Sequence, residues 1–347
     1  MWKRVVAVVG SLAILATTGY VASASVTGGD KAPAVSAAAG AVGTPVVNRA
    51  PQSSGTYWTA DRLQAAKPMD RVRTGVAGQA FGAANLDFSR GRIGPVGLNK
   101  QGPYKSVGKL FFTEQGVGDF QCSASIIGNR LIVTAGHCMF GNGHYFTNWQ
   151  FIPGYDGSQP TLAAQRPYGT WNWAAALVPG NYQATSSSVV NNYDFGIIQL
   201  ADQPVSGVMK TVFGRTGFKF NTAVGHMFDT AITSLGYPCN FDNCNIMQRV
   251  DSSDHRPSGI PAGQNGSTAF EYGSDMAGGS SGGPWVENFG APLSAAPTGG
   301  FNVRNTVVGV TSYGYIDPNV RTQGASQFNA DFTSIKNVMC SFTAGNC

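Results

Sequence analysis

Three short stretches of this chain carry residues able to do acyl-transfer chemistry: Leu131-Ile-Val-Thr-Ala-Gly-His137-Cys138, Asn191-Asn-Tyr-Asp194-Phe-Gly-Ile-Ile-Gln-Leu200, and Asp275-Met-Ala-Gly-Gly279-Ser280-Ser281-Gly-Gly-Pro284. A serine inside a Gly-rich turn has little steric cover, so its Oγ can meet a carbonyl. The glycines also leave backbone N–H groups free to face a developing oxyanion. Histidine can take and return the serine proton, and a carboxylate entering an apolar strand needs a waiting partner such as that histidine.

Chain order limits the scaffold. Gly279-Ser280-Ser281-Gly-Gly also fits the G-x-S-x-G nucleophile elbow of α/β-hydrolases, whose histidine follows its serine. The last histidine here is His255, so that order is closed. An Asp, His, Ser order belongs to a parallel α/β sheet that the pattern lacks. His137, Asp194, Ser281 remains. His137, His144, His226 and His255 contain no i,i+4 pair, so no zinc-binding helix of the H-E-x-x-H kind is expected, nor any metal or cofactor. Asp251 and Asp254 lack the spacing of a calcium loop.

The elements that must hold these residues are strands. Short β-rich runs recur between Gly, Asn and Pro turns: Lys109–Thr113, Ser123–Ile127, Leu131–Thr134, Trp149–Pro153, Phe195–Leu200, Ala231–Gly236, Asn245–Val250, Thr268–Tyr272 and Thr306–Tyr313. Such spacing predicts an all-β sandwich or barrel. The tail differs: Phe328, Phe332, Ile335, Val338 and Met339 fall at helical spacing and predict a C-terminal amphipathic helix. Trp171 and Trp173 read as packing residues.

The front of the chain reads as processing. Lys3 and Arg4 precede an apolar run from Val5 to Val21 that closes on Ala22-Ser23-Ala24, which describes a secretory leader over 1–24 and an extracellular product without a membrane anchor. Residues 25–56, poor in aromatics, read as linker or disordered, and 25–100 as a prosegment ahead of a catalytic region over 101–347. Residues 1–100 hold 11 Lys+Arg against 4 Asp+Glu, whereas 101–347 hold 12 against 14. The basic excess therefore lies outside the working region, which argues against nucleic acid as a partner. Six cysteines in an exported chain imply disulfides, and spacing favours Cys122–Cys138, Cys239–Cys244 and Cys340–Cys347.

Taken together, Thr134-Ala-Gly-His137-Cys138, Tyr193-Asp194-Phe195 and Gly279-Ser-Ser281-Gly-Gly-Pro resemble the chymotrypsin/trypsin family of serine peptidases, in its secreted microbial branch. Tyr237-Pro238 and Ser281-Gly-Gly-Pro-Trp285 fit that branch. The resemblance covers about Val107 to Cys347. It implies two six-stranded antiparallel β-barrels with a C-terminal helix, a monomer acting on polypeptides, and its own prosegment as a partner. By that resemblance Ser281 is the nucleophile, His137 the base, Asp194 its orienting carboxylate, and the N–H groups of Gly279 and Ser281 the oxyanion hole. Ser312-Tyr313-Gly314 would pair with substrate as an added strand. Asp275 stands at the base of a pocket that would favour Arg or Lys before the cut. The sequence departs from animal trypsins at Ser280, where they carry the aspartate that pairs with a new N-terminus. Arg92-Ile93-Gly94 looks like their activation site, but with Ser280 present that switch is not expected in the same form.

Overall fold

The computed structural model describes residues 42–49, 54–73, 86–94, 97–225, 231–253, 255–257, 270–290 and 303–347. The leader, His226 and Asp254 lie outside the described residues. Beyond residue 106 the β-branched and aromatic runs form strands that turn at Gly and Asn. The first six are β1 (Val107–Glu114), β2 (Gly118–Ile126), β3 (Leu131–Thr134), β4 (Thr147–Pro153), β5 (Trp171–Leu177) and β6 (Gly196–Leu200). They pair in the order β5-β4-β1-β2-β3-β6, and β6 returns to β5, so the sheet closes into an antiparallel barrel. Closure removes the free edges a flat sheet would present. Phe112 stacks on Phe146 inside, and Trp149 meets Trp173 edge to face. Strand β5 was not expected from sequence. Its alternation is broken by three alanines, yet Ala175 and Ala176 are fully buried because the barrel wall covers both faces there.

The second set is β7 (Ile232–Gly236), β8 (Gln248–Ser252), β9 (Phe270–Gly273), β10 (Pro284–Glu287), β11 (Thr306–Tyr315) and β12 (Thr322–Gln327). The order is β8-β7-β10-β11-β12-β9. Among the described residues β8 and β9 do not pair with each other, so this is a half-barrel. The strand Ser89–Arg92 extends it at β8, and His255–Pro257 extends it at β9. Strand β12 reads Thr-Gln-Gly-Ala-Ser-Gln and gave no apolar signal, although every residue in it is buried. The helix Ala330–Phe342 starts where the Asn329 side chain accepts from the Asp331 N–H. It buries Phe332, Ile335 and Met339, and Phe332 with Phe328 flanks Phe195 just before β6.

Part of the segment expected to be linker is ordered. Val46–Val47 pairs with Ala175–Ala176, where β5 and β4 are joined only through Trp171 and Asn172. An open backbone edge recruits a strand whatever its side chains, which composition does not show. Trp58 then docks by donating to the Asn148 carbonyl at 2.7 Å, and Arg62 pairs with Asp119 at 2.8 Å.

Candidate active site

His137 lies in the turn Gly136–Cys138 that follows β3. The turn sits so close to Tyr182 that a Cβ on Gly136 would be 2.9 Å from the ring. The disulfide Cys122–Cys138 ties this turn to β2 across a separation of 16 residues. A crosslink of that loop length contributes about 3 kcal/mol in the chain-entropy account. The other two bonds join Cys239 to Cys244 and Cys340 to Cys347.

Asp194 enters β6 fully buried. Three donors converge on its carboxylate. The His137 N–H reaches Oδ1 at 2.7 Å, His137 Nδ1 lies 2.8 Å from Oδ2, and the Ser312 hydroxyl donates to Oδ2 at 2.5 Å. Burial alone would raise the Asp194 pKa. The His137 charge and hydrogen bond, the Arg71 charge and the Ser312 hydroxyl outweigh it and hold the group below the ordinary carboxylate range. The far nitrogen of the ring, Nε2, is buried and makes no hydrogen bond.

Ser281 lies in the loop between β9 and β10. Two glycines give the loop its shape. Gly279 has φ +94°, and a Cβ there would meet the Tyr237 carbonyl at 2.5 Å. Gly282 has φ +78°, and its Cβ would lie 2.0 Å from Thr134 Oγ1. Left-handed backbone and close approach both select glycine, so the second barrel's loop lies directly on the end of β3 beside His137. Ser123 on β2 pins it: its N–H donates to the Ser281 carbonyl at 2.8 Å and its hydroxyl to the Gly279 carbonyl at 2.8 Å. Gln323 on β12 holds the other side, donating to Ser280 Oγ and accepting from Ser274 Oγ, each at 2.8 Å. Neither Ser123 nor Gln323 carries a sequence signal, because each is one polar residue among several in its strand.

The remaining expected residues divide. Ser312, Tyr313 and Gly314 lie on β11 along the cleft, with the Ser312 side chain turned to Asp194. Asp275 lines a cavity of about 310 Å3 beside Ser281, together with Thr311, Tyr313 and Gly314. Its carboxylate is already paired, however, with Arg90 Nε at 3.1 Å. Arg92, expected from its context to resemble an activation site, instead pairs with Asp242 at 2.8 Å, while Ile93 is buried.

The fold defines a class: a β hydrolase built of a closed barrel and a half-barrel, with Ser281 lining a cavity and His137 hydrogen-bonded to the buried Asp194. The chain belongs to the trypsin family, whose model matches residues 99–339, and it is a serine endopeptidase of that family. Solved structures of the same fold include the thermostable serine protease AL20 from an extremophilic microorganism, at 24% identity and a TM-score of 0.53 over 69% of this chain and 98% of that one. Protease Anisep from Arthrobacter nicotinovorans matches at 24% identity and a TM-score of 0.52, over 67% and 94%. A Glu endopeptidase matches at 21% identity and a TM-score of 0.51, over 74% and 98%. Among curated proteins none matches this chain.

Proposed function

We propose that the chain is exported and, once processed, cuts internal peptide bonds through an acyl-enzyme on Ser281. The observation that carries this reading is the pair His137–Asp194. The buried aspartate fixes Nδ1 as the protonated nitrogen, which leaves Nε2, free of any hydrogen bond, as the base. Ser281 attacks the carbonyl, His137 takes the proton and returns it to the leaving amine, and the N–H groups of Gly279 and Ser281 receive the oxyanion. Three disulfides suit an oxidising compartment, in keeping with the apolar leader.

The prosegment includes the residues before Ser89. We propose that processing leaves the strand Ser89–Arg92 in place, where it pairs with β8 at an edge of the second sheet. Retained with that strand, Arg90 keeps the Asp275 charge matched and moderates the preference for Arg or Lys before the cut. The test is digestion of a protein mixture with the processed enzyme, followed by sequencing of the new termini. Internal cuts enriched after Arg and Lys are expected. Release of no internal peptide sinks the endopeptidase reading, and cuts indifferent to basic residues sink the role of Asp275.

Gln323 does for the oxyanion loop what a charge pair does in animal trypsins: it fixes the residue before the nucleophile. Gln323→Leu removes both bonds and leaves the buried Ser274 hydroxyl proton without its acceptor, at a cost of about 1–3 kcal/mol in urea unfolding. A loosened loop also misplaces the Gly279 N–H, and kcat falls about tenfold, part of the 10²–10³ expected for outright loss of a donor. A lower unfolding midpoint with unchanged kcat would make Gln323 structural only.

A further inference from the structure

Residues 67–73 run across the cleft just described. Lys67–Pro68 pairs with Phe120–Gln121 on β2, and the Met69 N–H donates to the Gln121 carbonyl at 3.1 Å. Val72–Arg73 pairs with Gly314–Tyr315 on β11. The Gly314 N–H reaches the Arg71 carbonyl at 3.0 Å and the Ile316 N–H reaches the Arg73 carbonyl at 3.2 Å. Both barrels therefore hold this strap.

Its direction is the informative feature. A peptide cut at Ser281 must place its acyl residue in the cavity beside that serine, with the preceding residues leading outward along Ser312 to Tyr315. Its numbers fall as those of β11 rise, which is antiparallel pairing. The strap pairs parallel. It occupies the same edge in reverse, so its carbonyls do not meet Ser281 in a register that leads to attack.

Between the two paired ends sits Asp70. Its carboxylate packs on Gly278, where an added Cβ would lie 1.9 Å from Oδ2. Loss of water raises the Asp70 pKa, opposed by the nearby His137 charge and the Gly279 N–H. A carboxylate thus stands against the loop that would receive the oxyanion, in the same cavity as Ser281. Arg71 covers the histidine side: its guanidinium bonds the carbonyls of Ser186 and Ser188 and lies 3.1 Å from the Tyr182 hydroxyl.

Arg73 ends the strap in a built site. Glu271 on β9 is 1% exposed. It accepts from the Tyr313 hydroxyl at 2.8 Å and the Tyr315 hydroxyl at 2.5 Å, and Arg73 lies 3.1 Å away with its guanidinium also over the Tyr315 ring. A buried carboxylate with two phenols and an aromatic face suits a guanidinium. It lies several residues out from the scissile position, on the acyl side.

Building on the catalytic reading above, we propose that Glu271, Tyr313 and Tyr315 form a subsite for a basic side chain, and that residues 67–73 use it to lock themselves across the cleft as a reversed, uncuttable strand with Asp70 against the loop that would receive the oxyanion. The test compares fluorophosphonate labelling rates of the full chain with those of Asp70→Ala, Arg73→Ala and Glu271→Gln. Both strap variants label at least about tenfold faster than the unaltered chain, as expected for loss of a charge-assisted contact. Glu271→Gln matches Arg73→Ala, and combining the two adds nothing further. Should Glu271→Gln fail to fold, the exposed-side variants Asp70→Ala and Arg73→Ala decide alone. Equal labelling of all chains, or cleavage of the strap by its own Ser281 within residues 69–73, overturns the strap and leaves the catalytic reading standing. Labelling of none overturns the catalytic reading and the strap with it.

Discussion

Ser281→Ala lowers kcat on a peptide substrate by about 10⁶-fold and abolishes fluorophosphonate labelling, while the fold is unchanged by circular dichroism. The size follows from how the three groups work. With no nucleophile, His137 has no proton to take and Asp194 no imidazolium to stabilise, so one deletion costs nearly as much as removing all three. What survives is the backbone cradle of Gly279 and Ser281, which still polarises a bound carbonyl; a residual rate about 10³–10⁴ above water is therefore expected. The substitution is small: Ser281 is buried, and its carbonyl is held by the Ser123 N–H. A mutant that retains labelling would move the nucleophile elsewhere, with Ser280 the nearest other hydroxyl. Ser280 is poorly suited, because its Oγ is committed to the Ala277 carbonyl and to Gln323.

Asp194→Asn lowers kcat by about 10⁴-fold at neutral pH with little change in KM. The asparagine fills the same space but offers one acceptor where three donors converge. Its NH2 group faces His137 Nδ1 and turns that nitrogen into an acceptor, so the proton moves to Nε2 and the base is lost. The carboxylate also matters for stability. Its folded pKa lies below the unfolded value, so its contribution is present above the unfolded pKa of about 3.9 and is lost as pH falls through the lower folded value. The unaltered chain should therefore lose thermal midpoint on acidification below pH 4 more steeply than Asp194→Asn. Parallel melting curves between pH 2 and pH 7 check this, and identical acid profiles would mean that the ion pair is not what holds the carboxylate ionised.

Local sequence was enough for the His137 turn, the Asp194 strand and the Ser281 loop, because each is a run of consecutive residues with a distinctive composition. The C-terminal helix was legible for the same reason: its apolar residues repeat at helical spacing. Strands β5 and β12 were not. Alanines and polar residues become buried there through the closure of one barrel and the stacking of the other, which a local window does not contain. The Gly279 and Gly282 positions show the division at one site. Their glycines announce a serine with little steric cover, but only the packing of that loop against Thr134 and Tyr237 explains why nothing larger fits.

The sequence alone determined the chemistry available and the order in which it is strung. The family resemblance put an aspartate, Asp275, at the pocket, and Lys67, Arg71 and Arg73 counted only toward the basic excess of the front segment. Tertiary structure decided what these charges meet. Asp275 meets Arg90, Arg73 meets Glu271, and Asp70 packs on Gly278. Each pair joins residues far apart in the chain, and the energy of a charge is set by the partner and the water it loses, neither of which is written in its neighbours along the sequence.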